Sequence, residues 1–179
     1  YPMIAMGSIG IDANANFIKK HCHKNSIETK FLKSTNKAPT SHTVCMFEKQ
    51  NERTFLYYAG ANNLLDVNHF KIKKLKSIPK ILYVGYITLL GNLDKFSGKN
   101  TRLCEILIQA KKKKIITVLD LVSNNDPSFQ KVVVSALPHT DYLLLNEIEA
   151  ELLFKQSVTD SKKILNKKKI IHLSKKIFL

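Results

Sequence analysis

The segment IITVLDLVSNNDPSFQKVVVSALPHTDYLLLNEIEAELL, residues 115–153, decides the fold. Its first five residues are all β-branched or aliphatic, which predicts a buried strand at residues 115–119. Residues 127–137 are predicted to form a helix, because Asp126 followed by a proline is typical of a helix start. A second apolar run predicts another strand at residues 142–145. A strand, a helix and a strand in this order indicate parallel strands joined by a crossover helix.

The same alternation extends toward the amino terminus. Residues 81–84 predict a strand, and residues 101–112 predict a helix whose apolar side chains recur at intervals of three and four positions. The sequence therefore predicts an α/β fold in which helices flank a parallel sheet. The elements expected nearer the amino terminus are a strand at 4–11, a helix from Asp12 to about residue 24, and a short strand at 29–32.

Residues 40–59 depart from this alternation. They are rich in β-branched and aromatic residues, and the polar residues 49–52 divide them into two halves. This pattern predicts a β-hairpin inserted between elements of the α/β fold.

The carboxyl-terminal part departs from it in another way. After Phe154 the sequence becomes rich in lysine, and only residues 169–173 resemble a further strand. We therefore expect a partial α/β domain at residues 1–154 and a lysine-rich segment at 155–179.

The formal net charge of +15 comes from 29 basic and 14 acidic residues. Arg53 and Arg102 are the two arginines, and the other basic residues are lysines. Proteins that read nucleic acid or clamp phosphate favour the planar fork of arginine, so a solvated lysine surface is the preferred interpretation and nucleic acid is not the expected partner. A basic nucleic-acid-binding or interaction module without catalysis stays as the alternative function.

The three cysteines, Cys22, Cys45 and Cys104, are far apart and form no CxxC pair. This pattern predicts neither a disulfide framework nor a zinc site, and it favours a reducing compartment, the cytoplasm. The apolar runs are far shorter than the roughly 18 residues that a membrane span needs, so we expect no membrane partner and no signal peptide.

Polar residues that follow the predicted strands are the candidates for binding a ligand, because open α/β sheets bind ligands at the carboxyl ends of their strands. These residues are Gly85, Asp120, Asn146 and the turn at residues 7–12. Glycine, aspartate and asparagine also serve as local caps in turns, so each position has a structural interpretation as well.

Asn146 and Glu149 lie one helical turn apart at the predicted start of a helix. An amide and a carboxylate in this arrangement can bind hydrated magnesium beside phosphates, because magnesium prefers oxygen ligands and retains its waters. The same two residues can form a capping box, in which the asparagine caps and the glutamate completes the box. The residues alone leave both interpretations open.

Four segments in order resemble the ribokinase-like, PfkB-type carbohydrate kinases. The segments are GSIGID at 7–12, PTSHTVCMFEKQNERTFLYYAGAN at 39–62, LDLVS at 119–123 and DYLLLNEIEAELL at 141–153. The resemblance implies a Rossmann-like α/β domain with a small β lid formed by residues 39–60. It also implies an enzyme that uses ATP and Mg²⁺ to phosphorylate a hydroxyl of a sugar or nucleoside.

The resemblance assigns roles to particular residues. Asn146 and Glu149 match the NxxE motif of the family, which implies a position near magnesium and the transferred phosphate, with Glu149 acting on the metal through water. Asp120 is expected on the same phosphate side. The residues expected near the substrate are Asp12 and Gly10 of the GSIGID segment, Thr43 of the lid and Gly85 at a strand end.

The catalytic GxGD motif of the family does not occur in the 179 residues, so no catalytic residue is assigned. We expect the chain to hold the middle portion of such a kinase and to be weakly active or inactive by itself. The resemblance also implies a small sugar or nucleoside as partner. The strand edges of the lid hairpin could pair with another chain, so a homodimer formed through the lid is a further expectation.

Overall fold

The structure, a computed structural model, describes residues 2–47, 53–75, 77–160 and 164–176. The chain divides into two compact units. Unit 1 comprises Tyr1–Leu75 and Leu89–Leu93, and unit 2 comprises Lys76–Thr88 and Asp94–Leu179. The domain boundary expected near residue 154 stays a prediction.

Unit 1 begins with a strand, a helix and a strand, as the sequence predicts. Its two strands, β1 (Met3–Ile9) and β2 (Ile27–Ser34), pair in parallel. Residue Asp12 caps the helix, α1, and the buried residues Ala15 and Cys22 lie on one face of that helix. The bounds of these elements are Met3–Ile9 for β1, Ala13–Lys24 for α1 and Ile27–Ser34 for β2.

The predicted hairpin is also present in unit 1. Strands β3 (His42–Phe47) and β4 (Arg53–Tyr58) pair antiparallel, with Val44 opposite Leu56 and Cys45 opposite Phe55. Its side chains are largely exposed on both faces. The polar turn expected at residues 49–52 lies outside the described residues. Short 3₁₀ helices follow the hairpin at Gly60–Leu64, Val67–His69 and Ile72–Lys74.

Unit 2 contains a three-stranded parallel sheet, in the order β5 (Ile81–Gly85), β8 (Ile116–Asp120) and β9 (Tyr142–Leu144). The alternation of strands and helices that the sequence predicts is therefore confirmed in this unit. The strands and helices are β5 (Ile81–Gly85), β6 (Phe96–Ser97), β7 (Asn100–Thr101), α2 (Arg102–Lys112), β8 (Ile116–Asp120), α3 (Phe129–Ala136), β9 (Tyr142–Leu144), α4 (Glu147–Phe154) and α5 (Lys167–Lys175).

The two faces of this sheet differ. On one face Val84, Thr117 and Leu119 are buried, and α2 packs against β8 with its predicted apolar stripe. On the other face the side chains of neighbouring strands are exposed. These exposed residues are Ile81, Tyr83, Ile116, Tyr142 and Leu144. The helical layer of unit 2 thus covers one face of its sheet.

The start of α3 differs from the prediction. The helix begins at Phe129, two residues after the proline, and Ser128 is its N-cap. Asp126 does not cap the helix. Its Oδ1 instead accepts a hydrogen bond from the backbone N–H of Ser128 at 2.7 Å, which closes a turn before the helix. An aspartate that closes such a turn has the same sequence signal as a helix cap.

The strand expected at residues 169–173 is wrong, because this segment lies within α5. The side chain of Asn166 accepts a hydrogen bond from the backbone N–H of Lys169 and so caps the helix. Leu173 is 1% exposed, so one apolar side chain anchors a short helix whose other residues are mostly exposed. Nothing in the described parts of the chain is a helix of the length and apolarity that crossing a membrane requires.

Candidate functional site

The turn after β1 brings Asp12 and Gly10 together with Thr40. The Asp12 Oδ1 atom accepts hydrogen bonds from the Ala15 backbone N–H at 2.8 Å and from the Thr40 hydroxyl at 2.7 Å. Its Oδ2 atom accepts the backbone N–H of Thr40 at 2.6 Å. The Thr40 hydroxyl oxygen in turn accepts the backbone N–H of Gly10 at 2.9 Å. We call these three residues the Asp12 cluster.

A glycine is required at position 10 of this cluster. A Cβ atom there would lie 2.6 Å from the Thr40 backbone nitrogen, 2.6 Å from Asp12 Oδ2 and 2.9 Å from the Pro39 carbonyl carbon. These distances are shorter than real Cβ contacts, and two of the neighbours are backbone atoms that cannot rotate away. The close approach of two chain segments therefore depends on Gly10.

The hydrogen bonds keep Asp12 ionised. Donation from the Thr40 backbone N–H, and next from the Ala15 N–H and the Thr40 hydroxyl, holds the pKa of this carboxyl below its usual value. A carboxylate has about four acceptor positions, and the donors from Ala15 and Thr40 fill three of them. The half-buried Asp12 can therefore accept one further hydrogen bond, such as one from a ligand hydroxyl.

The other two residues expected near the substrate take no part in the hydrogen bonds of the Asp12 cluster. Thr43 is exposed on β3, opposite Tyr57, in the same unit as Asp12. Gly85 belongs to unit 2, where it ends β5 and pairs with Asp120. Sequence reasoning missed Thr40, which is 2% exposed and 28 positions from its partner. No local pattern indicates a contact over that separation.

Asn146 and Glu149 form a reciprocal capping box at the start of α4. The Asn146 Oδ1 atom accepts the backbone N–H of Glu149 at 2.9 Å, and Glu149 Oε2 accepts the backbone N–H of Asn146 at 2.8 Å. The structural interpretation that the sequence left open is therefore realised. Glu149 is 4% exposed, whereas Asn146 is exposed.

Ser123, in the loop after β8, joins this box. Its hydroxyl donates to Glu149 Oε1 at 3.0 Å, and the Asn146 Nδ2 amide donates to the same oxygen at 2.9 Å. The Asn146 amide also reaches the Ser123 hydroxyl oxygen at 3.3 Å. We call these three residues the Glu149 cluster. Sequence reasoning missed Ser123 as a site residue, because the contact spans more than twenty positions.

The donor chemistry of the Glu149 cluster fits a hydrated magnesium ion. Glu149 Oε1 accepts two hydrogen bonds and Oε2 accepts one, so Oε2 keeps one acceptor position. Asn146 Oδ1 accepts one and also keeps one. These oxygens can accept hydrogen bonds from the waters that magnesium retains. Within the described ranges, no group of three or more histidine, cysteine, aspartate or glutamate residues could ligate a metal directly.

Asp120 lies at the carboxyl end of β8, as expected, and has a partner on the neighbouring strand. The Tyr83 hydroxyl donates to Asp120 Oδ2 at 2.5 Å. This hydrogen bond, together with partial burial, raises the pKa of Tyr83 to about 12, so the phenol stays protonated and remains a donor at neutral pH. Asp120 is half-buried, and it is separate from the hydrogen bonds of the Glu149 cluster.

A family model described as pfkB family carbohydrate kinase matches residues 2–177. The chain belongs to this family. The resemblance that the four sequence segments indicate is therefore confirmed, and it extends over nearly the whole chain.

Solved structures with the ribokinase-like fold match this pfkB chain. A ribokinase from Giardia lamblia is 19% identical with a TM-score of 0.72, and the match covers 97% of this chain and 48% of that one. An adenosine kinase from Schistosoma mansoni in complex with 2-fluoroadenosine is 18% identical with a TM-score of 0.70, covering 85% and 43%. A ribokinase from Cryptococcus neoformans in complex with ADP is 18% identical with a TM-score of 0.64, covering 87% and 44%.

These matches confirm the predicted fold class, a ribokinase-like α/β fold with a parallel sheet and flanking helices. This pfkB chain spans about half the length of the solved structures that it matches.

Proposed function

We propose that this pfkB-family chain binds a sugar or a nucleoside and takes part in ATP-dependent phosphorylation of one of its hydroxyls. The observation that carries the proposal is the family match over residues 2–177. The matched adenosine kinase binds a nucleoside analogue and one matched ribokinase binds ADP, which supports these two ligand classes.

The Asp12 cluster is the proposed substrate side. Its carboxylate is ionised, rigidly held and able to accept one more hydrogen bond, which suits a sugar hydroxyl. We further propose that Gly10 shapes this turn, that Thr43 contacts the substrate from the lid hairpin, and that Gly85 lets a ligand approach the end of β5.

The Glu149 cluster is the proposed magnesium and phosphate side. Asn146 and Glu149 would bind the waters of a magnesium ion, and Asp120 is the further acidic group on this side. A bound magnesium ion neutralises charge on the phosphates of ATP. The residues of this chain orient the ion's waters, and the amino end of α4 favours negative charge nearby.

Phosphate transfer by the 179 residues alone is expected to be weak or absent. The GxGD sequence does not occur among them, and a general base typically contributes about 10²–10⁴-fold to the rate. Binding of the ligands depends on the two clusters and is expected to persist.

A homodimer through the lid is a further part of the proposal. The hairpin has two strands and exposes Val44, Phe55 and Leu56, and isolated two-stranded hairpins are marginal in water. A second copy would extend the hairpin by strand pairing. Size-exclusion chromatography with light scattering should give twice the mass of the chain, and a monomer at high concentration would reject this part.

The proposed setting is a reducing one, the cytoplasm, with a small molecule rather than nucleic acid as the partner. Cys22, Cys45 and Cys104 are free thiols, which agrees with such a compartment.

Calorimetric titration with ribose, fructose and adenosine tests the function, together with transfer of labelled γ-phosphate from ATP. We expect one ligand class to bind and the Asp12→Asn variant to bind it about tenfold more weakly, because a hydrogen bond to a charged group is lost. Asp126→Asn is the matched control, since Asp126 also accepts a backbone N–H but lies outside both clusters. Absence of binding to every ligand, or equal losses in both variants, would reject the proposal.

A further inference from the structure

We infer that Ser123 is a positioning residue, whose hydroxyl fixes the Glu149 carboxylate so that the cluster can bind the waters of a magnesium–nucleotide complex. The inference rests on the proposed function, because it concerns how the proposed magnesium side is held. Ser123 does not touch the reacting atoms in this account. It acts through Glu149.

Glu149 lies in a buried environment. Its side chain is 4% exposed, and in the described part of the chain no lysine, arginine or histidine forms an ion pair with it. A buried carboxyl group without a cation partner needs hydrogen-bond donors to satisfy its oxygens. The donors present are the backbone N–H and amide of Asn146 and the hydroxyl of Ser123.

The donors to Glu149 come from two different segments of the chain. Asn146 belongs to the same helical turn as Glu149, so it can hold the carboxylate only relative to α4 itself. Ser123 comes from the loop after β8, 26 positions away. Its hydrogen bond therefore ties the carboxylate to the loop at the carboxyl end of the sheet.

The two oxygens of the Glu149 carboxylate accept different numbers of hydrogen bonds. Ser123 and the Asn146 amide both donate to Oε1, which fills that atom and leaves the free acceptor position on Oε2. The Ser123 hydroxyl also accepts from the Asn146 amide, which supports the amide orientation in which Oδ1 accepts the Glu149 backbone N–H. Loss of the hydroxyl would leave the reciprocal capping box in place but would detach it from the loop after β8.

The experiment measures the affinity of the 179-residue chain for ADP with and without Mg²⁺, together with the melting temperature. The variants are Ser123→Ala, Ser123→Thr and Glu149→Gln. Ser157→Ala is the matched control, because the Ser157 hydroxyl donates at 2.8 Å to Glu151 of the same helix but lies outside the cluster. The ratio of the two dissociation constants reports the magnesium effect.

We expect Mg²⁺ to tighten ADP binding to the unmodified chain. Ser123→Ala should reduce this magnesium effect about threefold to tenfold, the range that corresponds to the net loss of one typical hydrogen bond, and should change the Mg²⁺-free affinity by less than that. Ser123→Thr keeps the hydroxyl at an exposed position and should restore the effect. Ser157→Ala should leave the magnesium effect unchanged.

Two results would overturn the inference, and they are distinguishable. If Glu149→Gln abolishes the magnesium effect while Ser123→Ala lowers only the melting temperature, the magnesium side stands and Ser123 is merely structural. If Mg²⁺ has no effect on ADP binding to the unmodified chain, the magnesium part of the proposed function fails and the inference fails with it.

Discussion

The Asp12 cluster of unit 1 and the Glu149 cluster of unit 2 are built on the same plan. Each lies at a helix start shortly after a parallel strand, and each uses a polar side chain as the helix cap. Each is also tied to a residue more than twenty positions away, Thr40 in the first and Ser123 in the second. In both, a local capping motif is joined to a distant segment.

The clusters differ in where the charge lies. In the first, the cap itself is the charged group, and Asp12 is half-buried. In the second, the cap is the exposed neutral amide of Asn146, and the charged Glu149 is buried beneath it. The first arrangement suits a direct hydrogen bond from a hydroxyl, whereas the second suits contact through the waters of a cation. A capping role and a binding role are therefore compatible in both.

The substitution with the largest expected effect on stability disrupts the Asp12 cluster and leaves the Glu149 cluster intact. Gly10→Ala should lower the free energy of unfolding by about 3 kcal/mol, because its Cβ would meet the backbone of residues 39 and 40. Gly7→Ala is the control, since a Cβ there makes an ordinary 3.5 Å contact with Leu32. Urea denaturation of both variants measures the difference. Equal stabilities would show that the two segments are not closely packed.

The substitution with the next largest expected effect on stability disrupts the Glu149 cluster. Glu149→Ala should lower the free energy of unfolding by about 2 kcal/mol, because it removes a buried carboxylate that accepts three hydrogen bonds and leaves their donors without this acceptor. Glu147→Ala removes a negative charge from the same helical turn. Because Glu147 is exposed, this substitution should lower the free energy of unfolding by only a few tenths of a kcal/mol. Thermal and urea unfolding would compare them. Similar losses would mean that helix-end charge, not the buried cluster, stabilises α4.

The smallest expected effect is a pH dependence of stability, which tests whether the cap of the Asp12 cluster is charged. The pKa of Asp12 is lowered in the folded chain, so its ionised form contributes stability that is present above the unfolded value of 3.8. This contribution is lost as the pH falls through the lower folded pKa. The stability difference between the unmodified chain and Asp12→Asn should be constant near neutral pH and shrink below about 3.8. A difference that does not change with pH would contradict the charged-cap account.

Local signals predicted most of the fold. The apolar runs, the interval of three and four positions in α2 and the Asp12 cap are properties of a few neighbouring residues, and each leads to the element observed. The predicted start of α3 is wrong because Asp126 closes a turn, which an aspartate does as readily as it caps a helix. The strand predicted at residues 169–173 is wrong because these residues lie in α5, which Asn166 caps and the buried Leu173 anchors.

The site was predictable only in part, for a similar reason. Asp12, Asn146 and Glu149 stand in local motifs, so the sequence identifies them. Thr40 and Ser123 act through contacts with residues 28 and 26 positions away, and their immediate neighbours give no sign of that. The ordered segments identified the family because they sample the whole chain rather than one contact.

The central claim is that the Asp12 cluster binds the sugar or nucleoside and that the Glu149 cluster binds the magnesium–nucleotide complex. Chemical-shift mapping of the isotope-labelled chain tests this claim most directly. Titration with the sugar or nucleoside that binds should shift the backbone amides of Gly10 and Thr40. Titration with ADP and Mg²⁺ should shift those of Ser123, Asn146 and Glu149. The account predicts two separate sets of shifted amides. If saturating ligands move other residues and leave both clusters unchanged, the clusters are helix caps without a binding role.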